Sequence, residues 1–350
     1  MTHAPDSSAT TLTAAAPRPR LTASSGGGHS RILSVGGYRP ERVVTNEEIC
    51  QHVDSSDEWI RSRSGIVTRR FAAEDESVVD MAEAAARVAV ERAGLGGADV
   101  DVVLLATITY PYQTPSAAAI VAHRLGATPA AALDVSAACA GFCYALSLAS
   151  DMVRCGSARN VLVIGVEKLS DFTDPTDRGT SFIFGDGAGA VVVGPSDHPG
   201  IGPTIWGSDG AQWQAIVNRS SWIEYRDDPG RRWPYLTMAG PTVFRWAVWQ
   251  MSPVAQKAVD AAGVETGDLA AFIPHQANMR IIDAMVKQLQ LPPHVQIARD
   301  VADIGNTSAA SIPLAMDRVL TEGQVGSGGL ALLIGFGAGL AYASQVVELP

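Results

Sequence analysis

Cysteine, charge and long apolar runs are all scarce in this sequence of 350 residues. The four cysteines, Cys50, Cys139, Cys143 and Cys155, are too few and too irregularly spaced for a secreted disulfide scaffold. No C-x-x-C pair suggests zinc, and a reducing cytoplasm is the expected location. No stretch of about 18 uninterrupted apolar residues occurs, so no membrane span is expected. Charged side chains make up 18% and carry a formal net charge of −10, which argues against nucleic acid as a partner. The first thirty residues lack the apolar core of a signal peptide and are rich in Ala, Ser, Thr, Pro and Gly. Residues 1–30 are therefore expected to form a disordered leader.

Hydrophobic residues at 47% suit a compact α/β protein of one large or two moderate domains. From Arg31 onward, short β-branched runs alternate with Ala-rich segments, the pattern of stacked α/β layers. Strands are expected at 102–107, 131–135, 160–166, 188–193, 272–274, 329–334 and 341–348. Several are apolar throughout, as in strands buried on both faces. Helices are expected at 77–93, 115–125, 140–154, 241–262, 279–289 and 308–320. The segment 207–235 has many charges, little periodicity and three tryptophans, Trp213, Trp222 and Trp233, with Trp206 at its edge. It reads as a long loop or hairpin able to cover a site.

Three turns carry residues with chemistry. Leu133-Asp134-Val135-Ser136-Ala137-Ala138-Cys139-Ala140-Gly141-Phe142 runs from an apolar strand into a small-residue helix start. A thiol there faces the positive end of a helix dipole and unpaired N–H groups, which favour thiolate. Phe272-Ile273-Pro274-His275-Gln276-Ala277-Asn278 places a histidine directly after a strand. Ile304-Gly305-Asn306-Thr307-Ser308 places an asparagine in a turn before a helix. Each has a plain structural explanation taken singly: a buried small thiol, a core hydrogen-bonding imidazole, a helix cap. Turns at strand ends in α/β folds nevertheless converge on ligand sites, and Cys139, His275 and Asn306 together form a set.

The motifs A-C-A-G-F, H-Q-A-N-M-R and G-N-T-S-A-A-S, in this order, resemble the signatures of the β-ketoacyl-acyl-carrier-protein synthase III family. Asp57-Glu58-Trp59-Ile60, Ser64-Gly65-Ile66, Asp177-Arg178, Phe184-Gly185-Asp186-Gly187-Ala188-Gly189-Ala190 and Gly335-Phe336-Gly337-Ala338-Gly339-Leu340 add to the likeness, which covers residues 31 to 350. The resemblance implies a thiolase fold: two similar halves, 31–200 with the nucleophilic cysteine and 201–350 with the histidine and asparagine. Each half would be a five-stranded sheet flanked by helices, stacked as α-β-α-β-α and paired into a homodimer.

It also implies an acyltransferase that joins an acyl-CoA primer to malonyl-acyl-carrier protein with loss of carbon dioxide, initiating fatty acid biosynthesis. Cys139 would carry the acyl group. His275 and Asn306 would hold the malonyl thioester oxygen, the N–H groups of Cys139 and Ala338 would form an oxyanion hole, and Phe336 would face the departing carboxylate. Such chemistry needs no strong base and no cofactor, because decarboxylation creates the carbanion in place. Trp59 and Arg178 match positions that sandwich the CoA adenine, Arg63 one that meets its phosphates, and Asn278 one along the pantetheine tunnel. Pro241 stands where the family often has a polar tunnel residue. Thr114 matches a position reaching across the dimer into the partner's primer pocket, where a small side chain leaves volume.

Arg245, Arg280 and Lys287 are basic positions in an acidic chain, suited to docking an acidic carrier protein or simply solvated. Three other readings stay open. Cys, His and Asn also serve papain-like hydrolases; a starter-unit acyltransferase of polyketide assembly would share this fold; and a non-catalytic acyl-binding protein would need only the pocket.

Overall fold

The computed structural model describes Gly26 and residues 28–350 except Pro229. The expected leader lies almost wholly outside the described residues, and strand β1 (His29–Tyr38) already begins within its last two positions. A small hairpin of β2 (Arg42–Thr45) and β3 (Thr68–Phe71) follows, enclosing α1 (Asn46–Ile49) and α2 (Asp57–Ser64). The first half continues through α3 (Val78–Arg92), β4 (Val102–Ala106), α4 (Ala117–Leu125), β5 (Ala131–Val135), α5 (Gly141–Arg154), β6 (Val161–Glu167) and β7 (Gly187–Ser196). The second half opens with β8 (Ile205–Gly207), β9 (Ile216–Asn218), α6 (Trp222–Asp227), β10 (Leu236–Met238) and α7 (Gly240–Ala262). It ends with β11 (Leu269–Pro274), α8 (Met279–Gln288), β12 (Gln296–Ile297), α9 (Val301–Ile304), α10 (Ser311–Thr321), β13 (Leu330–Phe336) and β14 (Tyr342–Glu348).

Two five-stranded sheets result, β5-β4-β6-β7-β1 and β12-β11-β13-β14-β8. Their pairings match step for step: the first two are parallel and the last two antiparallel in both. The halves are therefore a topological repeat, with β5, β4, β6, β7 and β1 standing for β12, β11, β13, β14 and β8. All residues of β4 and β6 are buried, as the apolar sequence of these central strands up to Glu167 requires. Helices α3 and α4 cover the outer face of the first sheet and α7 that of the second, while α5 and α10 lie between the sheets. This is the five-layered thiolase arrangement.

Close approach between layers sets the turns. A Cβ on Gly165 in β6 would lie 2.2 Å from the Ala309 carbonyl oxygen, and one on Gly335 in β13 would lie 3.0 Å from the Cys139 carbonyl oxygen. Each sheet's third strand thus presses a bare backbone against the turn that starts the other half's central helix.

Candidate active site

Both central helices begin later than their periodicity predicts, because a 3₁₀ turn precedes each. Residues Ala138–Ala140 form one before α5, and Ser308–Ala310 the other before α10. Ala138 has φ of 46° and Ser308 of 47°, and Leu340, in the third such turn, 43°. A left-handed non-glycine residue costs on the order of 1–3 kcal/mol and persists where the surroundings over-determine it. Three of the four such residues among those described therefore sit in the turns that bear Cys139, Asn306 and the Phe336–Ala338 segment; the fourth is Gln290.

These turns converge on one cavity of about 500 Å³, whose wall includes Cys139, His275, Asn306, Phe336 and Ala338. His275 follows β11 and is 2% exposed. Its Nδ1 is 2.8 Å from Ser311 Oγ, and its ring meets Phe336 edge-on with centroids 5.4 Å apart. Burial lowers its pKa to about 3, so the imidazole is neutral. Asn306 is held by its backbone, the N–H donating to Ile183 and the carbonyl accepting from Gly185. Its Oδ1 accepts from the Ser308 N–H at 2.8 Å, which leaves the Nδ2 hydrogens for the cavity. Cys139 and Ala338 both occupy early positions of 3₁₀ turns, where N–H groups lack a partner within the turn. Gly337 lets the second turn close on the first, since a Cβ there would lie 2.9 Å from Cys139 Sγ.

Burial works against one expectation. Cys139 touches the cavity and is partly accessible, yet its sulfur lies deep, and burial pushes the thiol up to about 12. Ser308 and the backbone of Cys139 itself act in the opposite direction without reversing this. Desolvation of a charge thus opposes the thiolate that the helix start favours.

The cavity mouth gathers the other expected residues. Trp59, on α2, packs edge-on against Phe182 with centroids 5.4 Å apart. The guanidinium carbons of Arg178 and Arg63 stand 5.2 Å and 6.0 Å from its ring centroid; Arg63 lines the cavity, whereas Arg178 reaches it through Trp59. Asn278 also lines it, but its amide is engaged: Oδ1 caps α8 through the Arg280 N–H, and Nδ2 donates to the Arg63 carbonyl. Arg245 and Arg280 border the mouth, Arg280 lying 5.0 Å from the Phe244 ring centroid. Lys287 is exposed and outside the wall, about 10 Å farther along α8. Thr114 is likewise exposed and outside the wall of its own chain's cavity. The tryptophan-rich segment is a hairpin of β9 and β10, and Ile216, Leu236 and Met238 from it roof the cavity.

Sequence reasoning missed the polar residues behind the trio, Thr107, Thr109, Glu167, Ser308 and Ser311, whose partners lie far along the chain.

The sequence model of 3-oxoacyl-acyl-carrier-protein synthase III matches residues 133–210, and that of its C-terminal part matches residues 259–349. The β-ketoacyl-acyl-carrier-protein synthase III of Streptomyces glaucescens is 57% identical over 331 residues, 95% of this chain and 99% of its own. The enzyme of that name from Kocuria rhizophila is 55% identical over 344 residues, 92% of this chain and 97% of its own. Among solved structures, a priming β-ketosynthase of a polyketide biosynthetic pathway superposes with a TM-score of 0.93 at 51% identity, covering 95% of this chain and 99% of that one. A repeated five-stranded half, a cavity closed by three strained turns, and relatives matching nearly their whole length lead to one assignment: the chain belongs to the β-ketoacyl-acyl-carrier-protein synthase III family.

Proposed function

We propose that the chain transfers an acyl primer from acyl-CoA to Cys139 and condenses it with malonyl-acyl-carrier protein. The products are 3-oxoacyl-carrier protein, carbon dioxide and CoA, the opening step of fatty acid biosynthesis. The observation that carries this reading is the donor geometry opposite the thiol. His275 is neutral, and Ser311 Oγ, which already accepts from the Gln276 N–H at 3.3 Å, has its own hydrogen for Nδ1. That arrangement favours the tautomer with the proton on Nε2. With Asn306 Oδ1 tied back, both side chains offer donors alone, as an enolate oxygen requires. When the malonyl carboxylate leaves as carbon dioxide, its electron pair becomes the enolate, which attacks the Cys139 thioester. The N–H groups of Cys139 and Ala338 hold the resulting oxyanion, and Cys139 departs as thiolate. No cofactor enters; acyl-CoA and malonyl-carrier protein are substrates.

Trp59 with Arg178 supports CoA binding by stacking and cation–π attraction, and Arg63 supplies charge for phosphate. Arg245 and Arg280 at the mouth, with Lys287 beyond, support docking of an acidic carrier protein. A second reading, priming of a polyketide by the same chemistry, is favoured by the 51% identity to a priming β-ketosynthase; preference between carrier proteins separates the two. Four unpaired cysteines suit a cytoplasmic enzyme, and no described helix is long and apolar enough to cross a membrane.

The test is stoichiometry with carboxyl-labelled malonyl-carrier protein. Equal amounts of labelled carbon dioxide, CoA and 3-oxoacyl product are expected. CoA release without carbon dioxide would show a starter acyltransferase instead, and neither product would show an acyl-binding protein.

The neutral His275 gives a pH prediction. Its pKa is lowered to about 3, so the neutral form is retained at every pH above that and its charge does not change in the neutral range. Single-turnover decarboxylation by pre-acylated enzyme should therefore show no inflection near 6.5, where an ordinary imidazole titrates. A half-loss of rate near pH 6.5 would contradict the assignment.

A homodimer is supported by β5, whose outer edge is unpaired among the described residues and whose Leu133 is 40% exposed. Such an edge is a template for pairing. In that dimer Thr114 would border the partner's primer pocket. Thr114→Phe should then reduce turnover of isobutyryl-CoA relative to acetyl-CoA roughly tenfold, since overpacking costs about 1–3 kcal/mol. An unchanged ratio of specificity constants would remove Thr114 from the pocket.

A further inference from the structure

Behind Cys139 lies a buried acid that the reaction drawn above leaves idle. Glu167, the last residue of β6, is 0% exposed. Its Oε2 accepts from Thr109 Oγ1 at 2.7 Å, from Thr107 Oγ1 at 3.1 Å and from the Ile108 N–H at 3.1 Å. Its Oε1 accepts from Ser308 Oγ at 3.0 Å. No cation is among the groups that act on it. Lys168, its neighbour in the chain, sends its ammonium to the carbonyls of Ala73, Glu74 and Glu76. An unpaired buried carboxylate is costly, and burial raises the Glu167 pKa to about 7.

The fold explains why this acid faces the nucleophile. Matching Ile164-Gly165 of β6 to Ile334-Gly335 of β13 sets Glu167 in the place that Gly337 holds in the other half. Gly337 closes on the turn of Cys139, and Glu167 closes on the turn of Ser308. Ser308 lines the cavity with Cys139, and its hydroxyl is near enough to act on the thiol. A path therefore runs from Cys139 Sγ through Ser308 Oγ to Glu167 Oε1. Among the described residues, Glu167 is the one titratable side chain whose charge acts on the Cys139 thiol. The neutral His275, with Nδ1 held by Ser311, is a poor proton acceptor.

We propose that Glu167 is the proton acceptor and proton store for Cys139, acting through Ser308. This rests on Cys139 being the nucleophile. As Sγ bonds to the acyl carbon of acyl-CoA, its proton moves to Ser308 Oγ while the Ser308 proton moves to Glu167 Oε1. The bond from that carbon to the CoA sulfur then breaks, and the CoA thiolate recovers the proton along the same path to leave as the thiol. Once CoA has left, solvent protonates Glu167, and this acid form reprotonates Cys139 when it departs as thiolate in the condensation, which returns the carboxylate for the next acylation. That solvent proton is the one the overall reaction consumes.

The experiment is single-turnover acylation by acyl-CoA, followed by intact mass between about pH 6 and 10, in the full chain and in Glu167→Gln, Glu167→Asp and Ser308→Ala. In the parent the rate should rise to a plateau with a midpoint near 7, the ionisation of Glu167. Glu167→Gln should lower the rate at neutral pH on the order of a hundredfold and abolish that midpoint, the rate climbing steadily with hydroxide. Ser308→Ala should do the same while leaving the carboxyl its other three donors, and it decides the matter where Glu167→Gln fails to fold. Glu167→Asp should restore a midpoint in the neutral range. A uniform fall across the pH range with the midpoint retained would show mere bracing of the two turns and overturn the proposal. Acylation surviving in Cys139→Ala would instead remove the nucleophile assignment beneath it.

Discussion

Cys139→Ala leaves a folded chain that accepts no acyl group from acyl-CoA. The substitution deletes one sulfur from a position that already borders a cavity, so the loss of packing is on the order of 1 kcal/mol. The chemical loss is complete, because no other thiol has both access and oxyanion donors. Cys143 is fully buried one turn farther along α5, its sulfur packed beneath Gly335, and burial likewise raises its pKa to about 12. Cys50 ends α1 and Cys155 ends α5, and neither lines the cavity. Intact mass after incubation with acyl-CoA should show the acyl increment in the parent and none in the variant. An increment that persists on another cysteine would show that the nucleophile has been misassigned.

His275→Ala and Asn306→Ala separate the two half-reactions. Both should still form acyl-enzyme, since the donors for that step are the backbone N–H groups of Cys139 and Ala338. Each should lose about a hundredfold to a thousandfold in malonyl decarboxylation, corresponding to roughly 2.7–4 kcal/mol for one oxyanion donor. The two losses need not add, because the donors share one oxygen. Asn306→Ala also frees the Ser308 N–H that Oδ1 now accepts, so its loss should be at least as large. Quench-flow acylation together with release of labelled carbon dioxide checks both arms. If acylation vanished in both variants, the histidine would be acting as base for Cys139, as in a cysteine hydrolase.

The three candidate residues are legible in the sequence because each is a chemically distinctive side chain in a turn, Cys139 and His275 after a strand and Asn306 before a helix. The central strands are legible for a related reason: burial on both faces leaves β4 and β6 with no polar residue before Glu167. Strand β1 is not legible, since His29–Tyr38 interleaves serines, an arginine and two glycines with its apolar positions. The 3₁₀ turns are hidden too, because small residues such as Ala138 and Ser308 carry no local sign of a positive φ. Glu167 reads as the ordinary polar end of a strand. Only the fold brings Thr109 and Ser308 to it, from 58 and 141 residues away. The thiol shows the limit of local inference most directly: the helix start that favours thiolate is visible in the sequence, whereas the burial that opposes it belongs to the whole fold.

The central claim is that the acyl group on Cys139 is the one condensed with the malonyl unit. A chase measures it: enzyme acylated with labelled acyl-CoA is freed of excess substrate, then mixed with malonyl-carrier protein while the Cys139 peptide and the carrier protein are weighed together. The label should leave the Cys139 peptide and appear in 3-oxoacyl-carrier protein at the same rate, with one carbon dioxide released for each transfer. Label that stays on Cys139 while product accumulates, or product formed at full rate by Cys139→Ala, would contradict the account.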